Sequence, residues 1–246
     1  MRQNYRLIIM YDGSRYYGWQ RQPDHDTVQG KLEAVLNRLC GQSVEVIGAG
    51  RTDAGVHARN MVANVMRDVD IAPEEIRDYL NRYLPEDIAV REVKEAGPRF
   101  HARYNAIGKT YCYTCFDGPV KPVFDRKYVY VLEESPDIEA MQRAAQLLMG
   151  EHDFRNFCMN PRMKKSTVRI VDQIYIEREG DYIRFTFHGT GFLQNMVRIM
   201  VGTLLEVGWG HMSQEQVRAA LQSQERQKAG PTAPAQGLCL MQVDYD

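Results

Sequence analysis

The sequence has no apolar run long enough to cross a membrane. A transmembrane helix needs about 20 consecutive apolar residues, whereas the most apolar run, Met196–Leu205, is far shorter and contains Arg198. The segment from Met1 to Tyr5 leads directly into a strand-like run, which leaves no room for the apolar core of a signal peptide. We therefore expect a cytoplasmic protein without membrane contact.

Cysteines are few, and their arrangement argues against disulfides and against a metal site. There are five of them, an odd and scattered set that is typical of free thiols in a reducing compartment. Cys112 and Cys115 have the spacing of a zinc pair, but residues 111–116 have the pattern of a strand. Side chains three residues apart on a strand point to opposite faces, so both sulfurs cannot bind one ion. We expect no metal.

The chain also lacks a large excess of charge of either sign. Its formal net charge is −1, so the bulk charge neither favours nor excludes a polyanionic partner. Of the 31 basic residues, 23 are arginine, the side chain best suited to bidentate contacts with phosphate and carboxylate. This bias fits RNA binding, but it fits an ordinary solvated surface equally well.

The hydrophobic periodicity of the first half predicts an α+β unit. The order is strand, helix, strand, strand, helix, strand, with Thr27 as the N-cap of the first helix and Pro73 in the first turn of the second. This is the order of a split βαβ, ferredoxin-like unit. The predicted strands are residues 5–11, 44–47, 61–66 and 88–93.

The second half repeats this order with little residue identity. The elements predicted there are strands at 109–116, 127–131, 167–177, 182–188 and 238–245, and helices at 138–149, 192–207 and 213–222. Residues 224–237, rich in Gly and Pro, predict a long exposed loop. The expected fold class is therefore α+β, with two ferredoxin-like (RRM-like) halves forming a pseudo-symmetric, mainly antiparallel sheet flanked by helices. We place an N-terminal domain at 1–105 and a C-terminal domain at 106–246.

The densest chemical signal is the loop from Gly48 to His57, which contains three glycines and two alanines. Such a loop lets backbone pass close to a ligand, and loops on rigid elements often carry function. A pairing of Arg51 with Asp53 would keep the carboxylate ionised, as nucleophilic attack on an electrophilic carbon requires. The alternative is a turn in which Asp53 only accepts hydrogen bonds from nearby backbone amides.

An arginine in the apolar helix of the second half is another signal. At helical spacing Gln194, Arg198 and Gly202 form a narrow stripe of polar or small residues. Arg198 must reach water, a phosphate or a carboxylate, because an unpaired buried charge costs several kcal/mol. Asp53 is the candidate partner, although an arginine that extends its head group to the surface is equally common.

Aromatic residues near arginine give a third, weaker signal. Tyr111 and Tyr113 share one face of the strand that follows Lys109, and Arg103 precedes this strand. Arginines interleaved with aromatic rings suit unstacked RNA bases. Most tyrosines in strands, however, are simply half-buried packing residues.

Taken together, these segments resemble the bacterial tRNA pseudouridine synthase A family. The matching pieces run in order along almost the whole chain, and the Arg-Thr-Asp-Ala-Gly loop is the most specific of them. The resemblance implies the pseudouridine synthase fold. The matching residues are 11–14, 18–20, 27–29, 48–58, 100–103, 109–113, 150–154, 191–198 and 233–238.

The resemblance implies conversion of uridines at positions 38–40 of the tRNA anticodon stem-loop to pseudouridine, by a homodimer without metal or organic cofactor. It assigns the nucleophile to Asp53. Tyr111 would lie against the target base and is a proposed acceptor of the C5 proton. Arg51 would assist base extrusion and hold the aspartate, and Arg198 would be the salt-bridge partner of Asp53. Substrate contacts are expected from Tyr111, Arg51, Lys109, His57 and Arg103.

Two other functions fit parts of the sequence. Split βαβ units also build RNA recognition motifs, so the chain could be a non-catalytic RNA-binding module. A carboxylate-based hydrolase such as a glycosidase would need a second acid opposite Asp53. Asp12, Glu151 and Asp153 are the available partners, and each sits in a turn-like context that explains it without catalysis.

Overall fold

The computed structural model describes residues 3–67, 71–160, 165–222 and 226–246. The chain divides into two compact units: unit 1 comprises Met1–Ile107 and Cys239–Asp246, and unit 2 comprises Gly108–Leu238. The two domains predicted from the sequence, 1–105 and 106–246, are defined as parts that fold independently. That division stays a prediction.

Unit 1 has the strand order of a ferredoxin-like fold. Its elements are β1 (Gln3–Tyr11), α1 (Val28–Cys40), β2 (Val46–Gly48), β3 (His57–Arg67), α2 (Pro73–Tyr83), β4 (Ile88–Ala96) and the last strand of the chain, β10 (Leu238–Tyr245). β1 pairs antiparallel with both β3 and β4, and β2 pairs antiparallel with β3, which gives the order β4-β1-β3-β2. β10 runs parallel to β3 at His57 and Ala58. The predicted order of elements is confirmed.

The two helices of unit 1 begin where local chemistry favours a helix start. The Thr27 side chain accepts a hydrogen bond from the Gly30 amide, as predicted for an N-cap. α1 ends at Cys40, and the following residue, Gly41, forms its C-cap with a left-handed φ of 64°. Pro73 opens α2 with its fixed φ and its missing amide hydrogen, which costs nothing at a first-turn position. The fully buried apolar faces consist of Val28, Leu32 and Leu36 in α1 and Ile76 and Leu80 in α2.

Unit 2 contains a second mainly antiparallel set of strands. Its elements are β5 (Ala106–Phe116), β6 (Tyr130–Val131), α3 (Ile138–Leu148), β7 (Gly150–Asp153), β8 (Val168–Glu179), β9 (Tyr182–Gly189), α4 (Met196–Gly208) and α5 (Gln214–Gln222). The order is β5-β9-β8-β7, with every pair antiparallel, and β6 runs parallel to β5. β7 is absent from the strands predicted from the sequence, because Gly-Glu-His-Asp does not alternate apolar and polar residues. The predicted fold class, α+β with a mainly antiparallel sheet flanked by helices, is confirmed.

Two expectations for unit 2 are wrong. α4 begins at Met196 rather than near Phe192, because Asn195 has a φ of 61° and therefore interrupts helical geometry. The predicted loop 224–237 is only partly exposed: Ala229, Gly230, Ala233 and Gly237 are buried, whereas Lys228, Pro231 and Gln236 are exposed. Residues 224 and 225 of this prediction lie outside the described residues. The segment 229–237 packs against α4, where the Gly230 amide donates to the Thr203 hydroxyl at 2.9 Å.

None of the described helices is long and apolar enough to cross a bilayer.

A buried carboxylate connects three segments of unit 2. Asp117, directly after β5, accepts two hydrogen bonds from Arg178 of β8 at 2.8 and 2.7 Å and one from the Ser135 hydroxyl at 2.6 Å. Burial alone would raise the pKa of Asp117, but the bonds from Arg178 and Ser135 lower the pKa below its ordinary value. The ionised carboxylate therefore stabilises the folded state.

We predict that Asp117→Asn lowers the free energy of unfolding by about 1–3 kcal/mol at pH 7, because Arg178 loses its charged partner. A carboxyl with a lowered folded pKa stabilises above its unfolded pKa of about 3.9 and loses this effect as the pH falls. The deficit should therefore stay constant from pH 7 to about 5 and shrink below about 4. Urea unfolding at several pH values measures it. Glu179→Gln, which breaks an exposed ion pair with Arg184, is the control and should cost under about 1 kcal/mol. A deficit that did not change with pH would contradict this account.

Candidate active site

The loop between β2 and β3, residues 49–56, is fixed by its backbone. The Ala49 amide donates to the Val62 carbonyl at 2.8 Å, and the Val56 amide donates to the Asp53 carbonyl at 3.1 Å. The buried Thr52 hydroxyl lies 2.8 Å from the Tyr11 hydroxyl. Asp53 belongs to this hydrogen-bonded turn and is, as a residue, partly exposed to solvent.

A second loop, residues 12–20, packs directly on this turn, backbone against backbone. The Trp19 amide donates to the Thr52 carbonyl at 3.1 Å, and the Gly55 amide donates to the Tyr16 carbonyl at 3.2 Å. Gly18 has a φ of 90°, and a Cβ there would lie 2.5 Å from the Thr52 carbonyl oxygen. Only glycine permits so close an approach, so the position of Asp53 depends on the glycine in the other loop.

His57, the first residue of β3, ties the two loops together at their base. Its ring is buried, and Nδ1 accepts the Gly13 amide hydrogen at 3.0 Å. The Asp12 carboxylate lies 3.2 Å from the same nitrogen and also accepts from the Ser14 amide and hydroxyl. These contacts give His57 and Asp12 a structural role in the turn. A substrate contact by His57 stays a prediction.

The outer end of loop 12–20 is anchored at Asp87, next to β4. Arg15 and Asp87 form an ion pair, and the Tyr16 hydroxyl donates to Asp87 at 2.6 Å. Burial alone would raise the pKa of Asp87, but the bonds from Arg15 and Tyr16 lower the pKa below its ordinary value. Burial and the bond to Asp87 raise the pKa of Tyr16, so its hydroxyl keeps its proton and remains a donor. The loop that supports Asp53 is thus held at both ends.

A pocket of about 380 Å³ lies in unit 1 beside the Asp53 loop. Both arginines that the sequence associates with substrate, Arg51 and Arg103, line it and are exposed. Gln29 of α1 also lines the pocket, and its amide nitrogen donates to buried Glu33 at 2.9 Å. Sequence reasoning missed this buried glutamate, because it lies on a mainly apolar helical face and no motif marks it.

Unit 2 carries the remaining candidate residues. Lys109 and Tyr111 lie on β5. Tyr111 is 8% exposed and packs edge-on against Phe192, with ring centroids 5.3 Å apart. The next residue on the same face, Tyr113, is fully buried and donates from its hydroxyl to the Pro234 carbonyl at 2.8 Å. Tyr113 is therefore a packing residue, which agrees with the alternative interpretation of these tyrosines. Tyr111 is the more accessible of the two.

Arg198 is held in a defined orientation by polar groups of unit 2. Its Nε donates to the Ala233 carbonyl at 2.7 Å, and its Nη1 donates to the Asn195 side-chain oxygen at 2.7 Å. The Ala233 amide donates back to the Arg198 carbonyl at 3.1 Å. Gly202, one turn along α4, allows this approach, because a Cβ there would overlap the Pro231 carbonyl. The pairing of Arg198 with Asp53 stays a prediction.

Two of the three acids that a hydrolase could use, Asp153 and Asp12, have structural contacts. Asp153 accepts from the Arg155 amide and the Thr167 hydroxyl, and Asp12 has the turn contacts described above. Glu151 is exposed on β7. In the described part of the chain no group of three or more His, Cys, Asp or Glu side chains is arranged to hold a metal ion. Burial raises the pKa of the Cys112 and Cys115 thiols, which keeps them protonated.

Comparisons with known proteins agree over almost the whole chain. A family model described as "tRNA pseudouridine synthase" matches residues 7–105 and 144–246. A protein of Bacillus sp. (strain KSM-64) named "tRNA pseudouridine synthase A" is 46% identical over 243 residues, 98% of this chain and 99% of the relative. Relatives with that name from Clostridium kluyveri and Brevibacillus brevis are each 44% identical, covering 98% of this chain and 99% and 98% of their own lengths.

We predict that Gly18→Ala lowers the free energy of unfolding by about 2–4 kcal/mol, because the methyl group clashes with the Thr52 carbonyl and the backbone is left-handed. Gly41→Ala is the matched control. Its φ is also positive, but a Cβ there would meet nothing within 4 Å, so only the backbone cost of about 1 kcal/mol applies. Urea unfolding of both variants measures the difference. Equal losses would show that the packing of the two loops contributes nothing.

Proposed function

This chain belongs to the tRNA pseudouridine synthase family, and we propose that it uses the carboxylate of Asp53 to convert uridines of the tRNA anticodon arm to pseudouridine. The chain is an isomerase that acts on tRNA uridines.

The reaction is an isomerisation within one nucleotide. The bond between N1 of uracil and C1′ of ribose breaks, and a bond between C5 and C1′ forms. C5 loses one proton and N1 gains one, so nothing is oxidised and no group leaves the nucleotide. Three routes for Asp53 satisfy this balance: attack on C6 of the base, attack on C1′ of the ribose, and assistance to formation of a glycal.

The observation that carries the proposal is the placement of Asp53. A reacting carboxylate must be held in a fixed geometry while remaining accessible. The backbone bonds of residues 49–56 and the close approach of Gly18 meet the first requirement, and the partial exposure of Asp53 meets the second.

The other residues are proposed in supporting roles. Tyr111 stacks on the target base and accepts the C5 proton, and Arg198 keeps the aspartate ionised. Arg51 assists extrusion of the base, which must leave its stack at a cost of a few kcal/mol. Lys109, His57 and Arg103 are the further proposed substrate contacts. The accessibility of Arg51 and Arg103, and the fixed orientation of Arg198, support this assignment.

The proposal extends to the substrate and the setting. We propose uridines 38–40 as targets, a homodimer as the working form, and the cytoplasm as the location. The resemblance to the bacterial family supports the first two. None of the five cysteines forms a disulfide, which is typical of a reducing compartment and supports the third.

We predict that Asp53→Asn loses pseudouridine formation by at least about 1,000-fold while binding anticodon-arm tRNA with an affinity within about threefold of wild type. The change removes the charge and keeps the shape. Carbodiimide (CMC) labelling followed by primer extension measures the product, and filter binding measures affinity. Asp26→Asn, which removes an exposed partner of Lys31, is the control and should remain active.

Other outcomes identify the alternatives. If the wild-type protein binds the arm and forms no pseudouridine, the RNA-binding module is correct. If free uracil or an abasic ribose is the main product, the chain is a hydrolase. Activity retained by Asp53→Asn would remove the aspartate from the mechanism.

A second prediction concerns the phenol oxygen of Tyr111. Tyr111→Phe keeps the ring that packs against Phe192 but loses the proton acceptor, so the single-turnover rate should fall by about 100-fold or more. Binding should be unchanged. With tRNA deuterated at C5 of uridine, the kinetic isotope effect should be larger for Tyr111→Phe than for wild type, because C5 deprotonation becomes rate-limiting. An unchanged rate and isotope effect would assign Tyr111 to stacking alone.

A further inference from the structure

The pocket beside Arg51, here called the Tyr104 pocket, has the features of a nucleotide subsite. Besides Arg51 and Arg103, its lining includes Trp19, His101 and Tyr104, together with one acidic residue, Glu45. The reacting aspartate is not part of this lining. The pocket therefore lies next to the proposed site of chemistry without containing its nucleophile.

The turn that carries Tyr104 is held firmly by unit 1. The Ala102 amide donates to the Asn64 side chain at 2.9 Å, and the Tyr245 hydroxyl donates to the Ala102 carbonyl at 2.7 Å. Asn4 donates to the Phe100 carbonyl at 2.8 Å and accepts from Asn64 at 3.1 Å. A buried network of side chains thus fixes a turn whose tip lies in solvent.

This turn displays an aromatic pair to solvent. Tyr104 is 76% exposed, and its ring lies 4.1 Å from the His101 ring, with 30° between their planes. His101 Nδ1 accepts from the amides of Arg103 and Tyr104 at 3.2 and 3.3 Å, which orients the imidazole. A large aromatic ring that stays exposed contributes little to the stability of the fold. It does provide an accessible face on which a nucleic-acid base can stack.

The base of the pocket is rigid as well. Trp19 is 2% exposed and lies close to Gly48, where a Cβ would reach within 2.5 Å of the indole. Glu33 on α1 is buried and accepts from Gln29, from the Val46 amide at 3.0 Å and from Arg21 at 3.0 Å. These three donors satisfy the Glu33 carboxylate, which thereby links α1 to Arg21 and to β2 beside the pocket.

We propose that the Tyr104 pocket binds a second, unpaired nucleotide of the substrate, one that neighbours the reacting uridine. Its base stacks on Tyr104, and its phosphates contact Arg51 and Arg103. This inference rests on the proposed function and adds the subsite that positions the RNA. Arg51 lies two residues from Asp53 in the same rigid loop, so a nucleotide held by Arg51 sets the register of the strand relative to the aspartate.

The chemistry of the pocket favours an unpaired nucleotide over other ligands. A base in a duplex has its faces covered by its neighbours, so only an unstacked base can lie on an exposed ring. Two exposed guanidinium groups fit the phosphates on either side of such a base. One base–aromatic stack corresponds to a change in affinity of about 5- to 100-fold.

The test measures Kd, KM and kcat with anticodon stem-loop RNA for Tyr104→Ala and for two control variants, Tyr104→Phe and Tyr17→Ala. Tyr17 is 54% exposed and stacks on His25 at 4.1 Å and 17°, outside the pocket lining. Tyr104→Ala should raise Kd and KM by about 5- to 100-fold and leave kcat at saturating RNA within about twofold. Tyr104→Phe and Tyr17→Ala should remain within about threefold of wild type in all three quantities.

Abasic substitution in the RNA identifies the nucleotide that is bound. Replacing each loop nucleotide in turn by an abasic ribose should weaken wild-type binding markedly at one position next to the reacting uridine. Tyr104→Ala should show no further loss at that position, because its stacking partner is already absent. Arg103→Gln should lower the slope of log Kd against log salt concentration by about 0.7–0.9, the value for one lost phosphate contact.

Three results would overturn the proposed subsite. The first is equal RNA affinity of Tyr104→Ala and Tyr17→Ala, and the second is a lower kcat of Tyr104→Ala with an unchanged Kd. The third is a loss of affinity on abasic substitution that is as large in Tyr104→Ala as in the wild type. Because Tyr104 is exposed, its variants should unfold at the wild-type urea concentration, which excludes misfolding as the cause. The proposed role of Asp53 fails separately, through activity retained by Asp53→Asn, whatever the binding series shows.

Discussion

The close approach of two backbone segments, residues 12–20 and 49–56, is the constraint on which the candidate site depends. The amide of Trp19 reaches the Thr52 carbonyl only because residue 18 has no side chain. This contact packs the loop 12–20 directly against the turn that contains Asp53. The ion pair of Arg15 with Asp87 fixes the outer end, and His57 fixes the base. Under the proposed function, this turn orients the Asp53 carboxylate before the substrate binds, which is the physical advantage of a rigid active site.

The proposed rearrangement needs a single carboxylate, and most of the other acids described above have structural contacts instead. Asp12 and Asp153 cap turns, and Asp87, Asp117 and Glu33 are bound by arginines. Hydrolysis would require a second acid to protonate a leaving group or to activate water. Isomerisation of uridine requires that the detached base stay in place and turn. The demand on the protein is therefore for confinement and orientation more than for additional acids.

Arg51 belongs both to the lining of the Tyr104 pocket and to the Asp53 loop. In the proposed function, the pocket binds a neighbouring nucleotide and the loop carries the reacting carboxylate. Stacking and phosphate contacts act without regard to base identity, so such a subsite selects an unpaired strand with a given spacing. The buried network of Asn4, Asn64 and Tyr245 sets that spacing by fixing the turn at 100–105. Enzymes that modify several adjacent positions need this kind of tolerance, because each target presents different neighbours.

The sequence by itself determined the local features of this protein. Thr27 and Pro73 mark helix starts, the apolar periodicity gives the order of strands and helices, and the density of small residues around Asp53 marks a tight loop, because each signal acts within a few residues. The start of α4, the partial burial of residues 229–237 and the structural use of Glu33 were decided by tertiary structure. Asn195 adopts a left-handed conformation, residues 230–233 dock on Gly202 and Thr203, and Glu33 meets Arg21 and Val46. The Tyr104 pocket likewise combines positions 19, 51 and 104, which no local pattern relates and only the folded chain brings together.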